Sequence, residues 1–262
     1  MAVRSPSPSI AELRAATQPA SIFARNSGEH WAGRLYVRRF SPYATRLLLR
    51  LGLSPNAVTW LMIASGVLAA LLLTLPGIVP VVAAVLAIQL QILLDCSDGE
   101  MARWTGRSSV AGVYLDRLGH YLTETALPIA LGIRADGGWD QIGPYTTLGL
   151  VIAVLVLLVK SESMLVHVAR AEVGLPKVED REEVAAPRGT LLRRLRRTAG
   201  RLPFYRAFIA MEATLLALGA AIADALAGDL QGTRVLVWAL LPVAAITAAG
   251  HLVAILLSDR LR

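Results

Sequence analysis

Apolar positions in this chain run together in long blocks. Six of them, at roughly residues 57–75, 78–95, 111–133, 145–166, 207–227 and 234–257, each approach the ~20 residues a helix needs to span a bilayer. The pattern predicts an all-α polytopic membrane protein with six transmembrane helices, over residues 54–262. Ser54 stands where it can cap the first of them and Pro55 takes its first helical position. Leu75-Pro76-Gly77 predicts a tight turn into the second.

Ahead of the first block the pattern changes. Over residues 30–53, Trp31, Leu35, Tyr36, Phe40, Tyr43, Leu47 and Leu48 are interleaved with Arg34, Arg38, Arg39, Arg46 and Arg50. That mixture predicts an amphipathic helix lying in the membrane interface, with Ser41-Pro42 as a break. Residues 1–29, rich in Ser, Ala and Pro, read as a flexible cytosolic tail. The longest polar stretch between blocks covers about residues 170–203, and no internal repeat is visible.

Composition sharpens the class. Charged residues make up 17% of the chain, against ~25% in an ordinary soluble domain, and 55% are hydrophobic. If the N-terminus is cytoplasmic, six crossings leave only Arg134 and Arg234 on the outer side, out of 26 Lys and Arg. That is the positive-inside distribution, so both termini are expected in the cytoplasm, in the cell membrane if the source is prokaryotic. The net charge of +7 then reflects topology and contact with anionic lipid, and nucleic acid is not an expected partner. A single cysteine, Cys96, excludes an internal disulfide framework and reads as a small apolar filler. The first 33 residues hold no apolar core of signal-peptide length, so the first span is expected to be retained.

The chemistry is concentrated in residues 95–121, DCSDGEMARWTGRSSVAGVYLDRLGHY. Asp95, Asp98 and Ala102 share one face at the end of the second helix, and Gly112, Asp116 and His120 share one face of the third. A short connection containing Gly106 makes the two helices antiparallel neighbours. Carboxylates in a membrane protein are costly and point to function, and clustered oxygen ligands suit Mg2+ or Mn2+ bridging substrate phosphates. With Arg103 beside them, a pyrophosphate-bearing guest is expected, and the small Gly99, Ala102 and Gly112 allow a bulky group to approach the backbone.

The series Asp95-x-x-Asp98-Gly99-x-x-Ala102-Arg103, then Gly112, Asp116 and position 120, resembles the signature of the CDP-alcohol phosphotransferase family, which usually has aspartate where this chain has His120. The LSPNAVT entry, with Pro55, Asn56 and Thr59, is similar to the family's start of the first span. The resemblance implies transfer of a phosphoalcohol group, in phospholipid biosynthesis, from CDP-diacylglycerol or another CDP-alcohol to an alcohol acceptor, with CMP released. It implies metal ligation by Asp95, Asp98, Asp116 and His120, catalysis by Asp116 and His120, one or two Mg2+ or Mn2+ ions, and a homodimer. It places the nucleotide against Asn56, Thr59, Gly99, Ala102, Arg103 and Gly112.

His120 leaves three readings open: a general base matched to neutral pH, a metal ligand, or a histidine bonded between helices in a chain of lost or altered activity. Arg117, Glu124 and Arg193 are candidates for the acceptor. Glu124 can equally pair with Arg117, and the basic run around Arg193 can equally bind anionic lipid. Lys160, Glu162 and His167 reach either the acceptor or the interface by snorkelling. Alternatives to the lipid-linked donor are a soluble CDP-polyol donor, a membrane transporter with a cation site, and a degenerate nucleotide-binding homologue.

Overall fold

In the computed structural model, residues 8–19, 31–176 and 204–261 are described, and their regular structure is helical throughout. The principal helices are α1 (Ile10–Thr17), α2 (Arg38–Arg50), α3 (Pro55–Leu73), α4 (Ile78–Thr105), α5 (Val110–Ala135), α6 (Pro144–Glu172), α7 (Ala210–Ala227) and α8 (Gln231–Leu256). Among the described residues, five (α3, α4, α6, α7 and α8) are long and apolar enough to cross a membrane. This is an all-α integral membrane protein. The other expected span is α5, whose 26 residues carry Asp116, Arg117, His120, Glu124 and Arg134, too much charge to qualify on composition alone.

Helix ends differ from block ends where polar residues keep helical geometry. The second apolar block stops near Asp95, but α4 continues ten residues to Thr105 because nothing breaks it before Gly106, which takes a left-handed φ of 66°. Ser54 caps α3 as expected, its Oγ accepting from the Ala57 N–H at 3.2 Å.

The chain divides into two compact units. One comprises Met1–Ala69 and Ala84–Thr123, the other Ala70–Ala83 and Glu124–Arg262.

Within the first unit, the stretch read as a flexible tail contains α1. Ser9 and Glu12 close a capping box at its start, and Leu13 and Thr17 are fully buried. Leu13 joins a core with Leu48, Leu49, Val58, Met62, Leu94, Met101 and Trp104, so an eight-residue helix too short to persist alone is held by packing. Ser41-Pro42 does not break α2, which runs through both residues after a π-helical turn at Gly33–Val37. Pro42 has no N–H to offer the Arg38 carbonyl four residues back, and Gln18 Nε2 supplies that bond at 3.0 Å. Leu35, Phe40, Tyr43, Leu47 and Leu51 are more than half exposed along this segment.

Glu100 is the polar hub of this unit. Its fully buried carboxylate accepts from Gln18 Nε2 at 2.8 Å, Ser41 Oγ at 2.6 Å and Thr45 Oγ1 at 2.7 Å, and Arg38 Nη1 lies 3.5 Å away. A buried carboxylate is tolerable only with such compensation.

Within the second unit, Arg134 is buried, donating from Nη1 to the carbonyls of Leu75 (2.6 Å) and Gly77 (3.0 Å), with Asp224 Oδ2 4.0 Å from Nη2. α5 and α6 cross closely because Gly132 and Gly149 have no side chains. A Cβ on either would fall under 3.0 Å from backbone of the other helix. Asp136 organises the start of α6, accepting from the N–H groups of Gly143 (2.9 Å), Tyr145 (3.2 Å) and Thr146 (2.7 Å) and from Thr146 Oγ1 (2.7 Å).

Candidate functional site

The extension of α4 beyond its apolar block carries one half of the site, and the first turns of α5 carry the other. The turn between them is closed by the Arg107 N–H on the Ala102 carbonyl (3.1 Å), with Gly106 at its left-handed position. Ser109 then caps α5, its Oγ accepting from the Gly112 N–H at 3.0 Å. These two local devices set the register in which Asp116 and His120 face α4.

His120 Nε2 lies 3.3 Å from Asp95 Oδ1 and 3.6 Å from Asp116 Oδ1. One ligand atom from each of the three residues falls within 4.8 Å of the other two. Ligands about 2.1 Å from a common ion stand ~3 to 4 Å apart, so the trio fits one divalent cation after small adjustments. All three side chains are partly open, at 32% to 43% exposure.

Asp98 is placed differently. It is buried, and its Oδ2 accepts from Thr59 Oγ1 at 2.7 Å. The expected four-residue ligand set thus divides into a gathered trio and a carboxylate committed to α3. Thr59, expected at the nucleotide, directs its hydroxyl to Asp98 and to its own helix at Pro55 O (3.1 Å).

The small residues are small for visible reasons. A Cβ on Gly112 would meet Asn56 Oδ1 at 2.9 Å and Ser109 Oγ at 3.2 Å, and one on Gly99 would meet Arg103 Nη1 at 3.2 Å. Arg103 therefore folds back along α4 over Gly99, and its Nε donates to the Thr17 carbonyl at 2.8 Å. Ala102 is half-buried between these groups in sequence, and Arg117 is half-buried directly after Asp116. Cys96 packs with Ala32 and Val37, as an apolar filler would.

Glu124 belongs to the second unit, where its Oε2 pairs with Lys160 Nζ at 2.7 Å. The pair lines a cavity of about 130 Å³ with Val156, Val159, Phe208, Ile209, Ala244 and Thr247. Arg193 and its basic run lie outside the described residues. Sequence reasoning missed Glu100 and the α1 contacts to Arg103. The signal for α1 was present, since Ser9-Ile10-Ala11-Glu12 before Leu13 is a capping-box pattern.

Two comparisons bear on this geometry. The sequence matches the CDP-alcohol phosphatidyltransferase family over residues 52–173, from the end of α2 through α6. Residues 52–173 are a CDP-alcohol phosphatidyltransferase domain. The chain is also 41% identical, over 81 residues, to the archaetidylinositol phosphate synthase of Aeropyrum pernix. That alignment spans 31% of this chain and 40% of the relative. The gathered trio, Asp98 and Arg103 all lie inside the matched domain.

Proposed function

We propose that this protein is a membrane phosphotransferase that moves a phosphatidyl or related phosphoalcohol group from a CDP-linked donor to an alcohol acceptor and releases CMP. The convergence of Asp95, Asp116 and His120 within 4.8 Å, inside the CDP-alcohol phosphatidyltransferase domain, is the observation that carries it. A divalent ion, Mg2+ or Mn2+, bound there would neutralise charge on the attacked phosphate and on the departing CMP.

The chain's own residues then have defined tasks. Asp95, Asp116 and His120 would hold the ion, with Asp98 completing the set from its anchored position. Arg103 holds a nucleotide phosphate, and the cytidine is assigned to the face of Gly99, Ala102 and Gly112, where the Arg103 and Asn56 side chains already lie close to the two glycines. The acceptor oxygen bonds to the phosphorus that carries the alcohol, and the bond from that phosphorus to the CMP oxygen breaks. The acceptor proton passes to Asp116 or His120 and on to water. Membrane-length apolar helices support a lipid-linked donor such as CDP-diacylglycerol over a soluble CDP-polyol. The name of the Aeropyrum pernix relative supports a phosphorylated polyol such as inositol phosphate as acceptor, which the basic run around Arg193 would suit. Six spans with both termini in the cytoplasm follow from the basic-residue distribution, with α5 crossing as the site-bearing helix.

The test is CMP release by purified protein given CDP-diacylglycerol or a CDP-polyol, Mg2+ or Mn2+, and acceptors including inositol, inositol phosphate, glycerol phosphate and serine. Metal-dependent and acceptor-dependent CMP that disappears in Asp95→Asn supports the reading. No CMP from either donor class with any acceptor overturns it.

A further inference from the structure

We propose that α1, which precedes the phosphatidyltransferase domain by more than thirty residues, is part of the donor site and orients Arg103 for nucleotide phosphate through the Thr17 carbonyl. The inference rests on the reading of Arg103 given above, and it assigns a positioning role to a segment outside the matched domain.

The chemistry of the contact is specific. Thr17 is the last residue of α1, so its carbonyl is among the four that a helix leaves without an internal partner. The C-terminal end of a helix also carries partial negative charge, which favours a cation. Arg103 Nε meets that carbonyl at 2.8 Å. A guanidinium has five donors in a rigid planar fork, so fixing Nε fixes the plane in which Nη1 and Nη2 lie. Those two nitrogens pass over Gly99, with 3.2 Å and 3.4 Å to where a Cβ would stand, next to Asp98 and one helical turn from Asp95 on α4. The fork is thus directed along α4 toward the carboxylates, with its two terminal nitrogens forming the edge that a phosphate takes in bidentate fashion.

α1 itself is held independently of Arg103. Leu13 is fully buried in the core of the unit, Gln18 Nε2 donates to Glu100 Oε1 at 2.8 Å and to the Arg38 carbonyl at 3.0 Å, and Arg14 Nη2 donates to the Arg39 carbonyl at 3.0 Å. The anchor therefore remains in place when the arginine is altered, which makes the coupling measurable.

The experiment is a double-mutant cycle on the full chain in detergent, reading CMP affinity by calorimetry, donor KM and kcat, and Mn2+ affinity as a control on the trio. Leu13→Asp, which unseats α1, and Gln18→Ala, which loosens its end, are each combined with Arg103→Lys, whose side chain has no donor at the Nε position. The expected result is about tenfold weaker CMP binding and a correspondingly higher donor KM in Leu13→Asp. A smaller loss follows in Gln18→Ala, with kcat and Mn2+ affinity nearly unchanged in both. Neither variant should weaken CMP binding further in the Arg103→Lys background. Equal losses with and without Arg103 would overturn the proposal, since α1 would then act through general stability. Unchanged CMP affinity in Leu13→Asp would overturn it too. Failure of the unaltered chain to bind CMP at all would overturn the function and the inference together.

Discussion

Thr59 Oγ1 lies 2.7 Å from Asp98 Oδ2, tying a motif carboxylate on α4 to the first long apolar helix. This bond fixes the rotamer of a buried carboxylate that stands outside the gathered trio. Hydrogen bonds that orient metal-site residues commonly matter 10- to 100-fold in affinity. Thr59→Val, which keeps the shape and removes the hydroxyl, is expected to weaken Mn2+ binding about tenfold. Thr59→Ser should retain most of it. Titration with Mn2+ followed by electron paramagnetic resonance reads both variants; equal affinity in Thr59→Val and the unaltered chain would show that Asp98 needs no such support.

His120 is expected to change which ion the trio prefers. Its Nε2 converges on Asp95 Oδ1 and Asp116 Oδ1, giving a site of two carboxylates and one imidazole. Imidazole favours Mn2+ or Zn2+ over Mg2+, and an all-carboxylate site narrows that gap. His120→Asp is therefore expected to strengthen Mg2+ relative to Mn2+ by roughly tenfold in competition, and His120→Ala to weaken both. An unaltered Mg2+/Mn2+ ratio in His120→Asp would remove the imidazole from the coordination sphere and leave it the role of base.

Glu100 makes the first unit depend on one charge. Removing its carboxylate takes one acceptor from each of Gln18, Ser41 and Thr45 and the charge 3.5 Å from Arg38 Nη1. Glu100→Ala is expected to cost about 3 kcal/mol or more, well above a typical surface substitution. Glu100→Gln, which keeps one acceptor oxygen, should cost less. Thermal unfolding in detergent orders the two, and an Ala variant as stable as the Gln variant would mean that water replaces the lost acceptor.

How far the sequence reveals this molecule depends on the range of the interactions involved. The long apolar blocks and the Asp95–His120 spacing are local and dense, so the helical class was legible from the blocks and the gathering of Asp95, Asp116 and His120 from their spacing. Ser41-Pro42 misled because proline's local cost is offset by Gln18, a partner over twenty residues away that periodicity does not show. A still greater separation, 55 to 82 residues, hid Glu100, whose donors come from positions 18, 38, 41 and 45. Asp98 could be placed on the right helical face, but which way its carboxylate turned depended on Thr59, thirty-nine residues earlier in sequence.

The loop before α6 should titrate. Burial alone would raise the Asp136 carboxyl, but hydrogen bonds from the Thr146 side chain and from the N–H groups of Thr146, Gly143 and Tyr145 outweigh it and hold the group below its ordinary value of 3.8. A carboxylate whose folded value is depressed binds its proton more weakly in the folded state than in the unfolded one. Its stabilising contribution is thus complete above the unfolded value and is lost as pH falls through the folded one. Asp136→Asn cannot offer the same charged acceptor to four donors, and is expected to lower stability by about 1 kcal/mol at neutral pH, the scale of a lost helix cap. The difference between the two proteins should stay constant from pH 7 to about 5, begin to shrink near about 4, where the unfolded carboxylate takes up its proton, and close as pH falls through the depressed folded value. Paired unfolding curves across that range provide the check, and a gap that widens on acidification would show that Asp136 is stabilising in its neutral form.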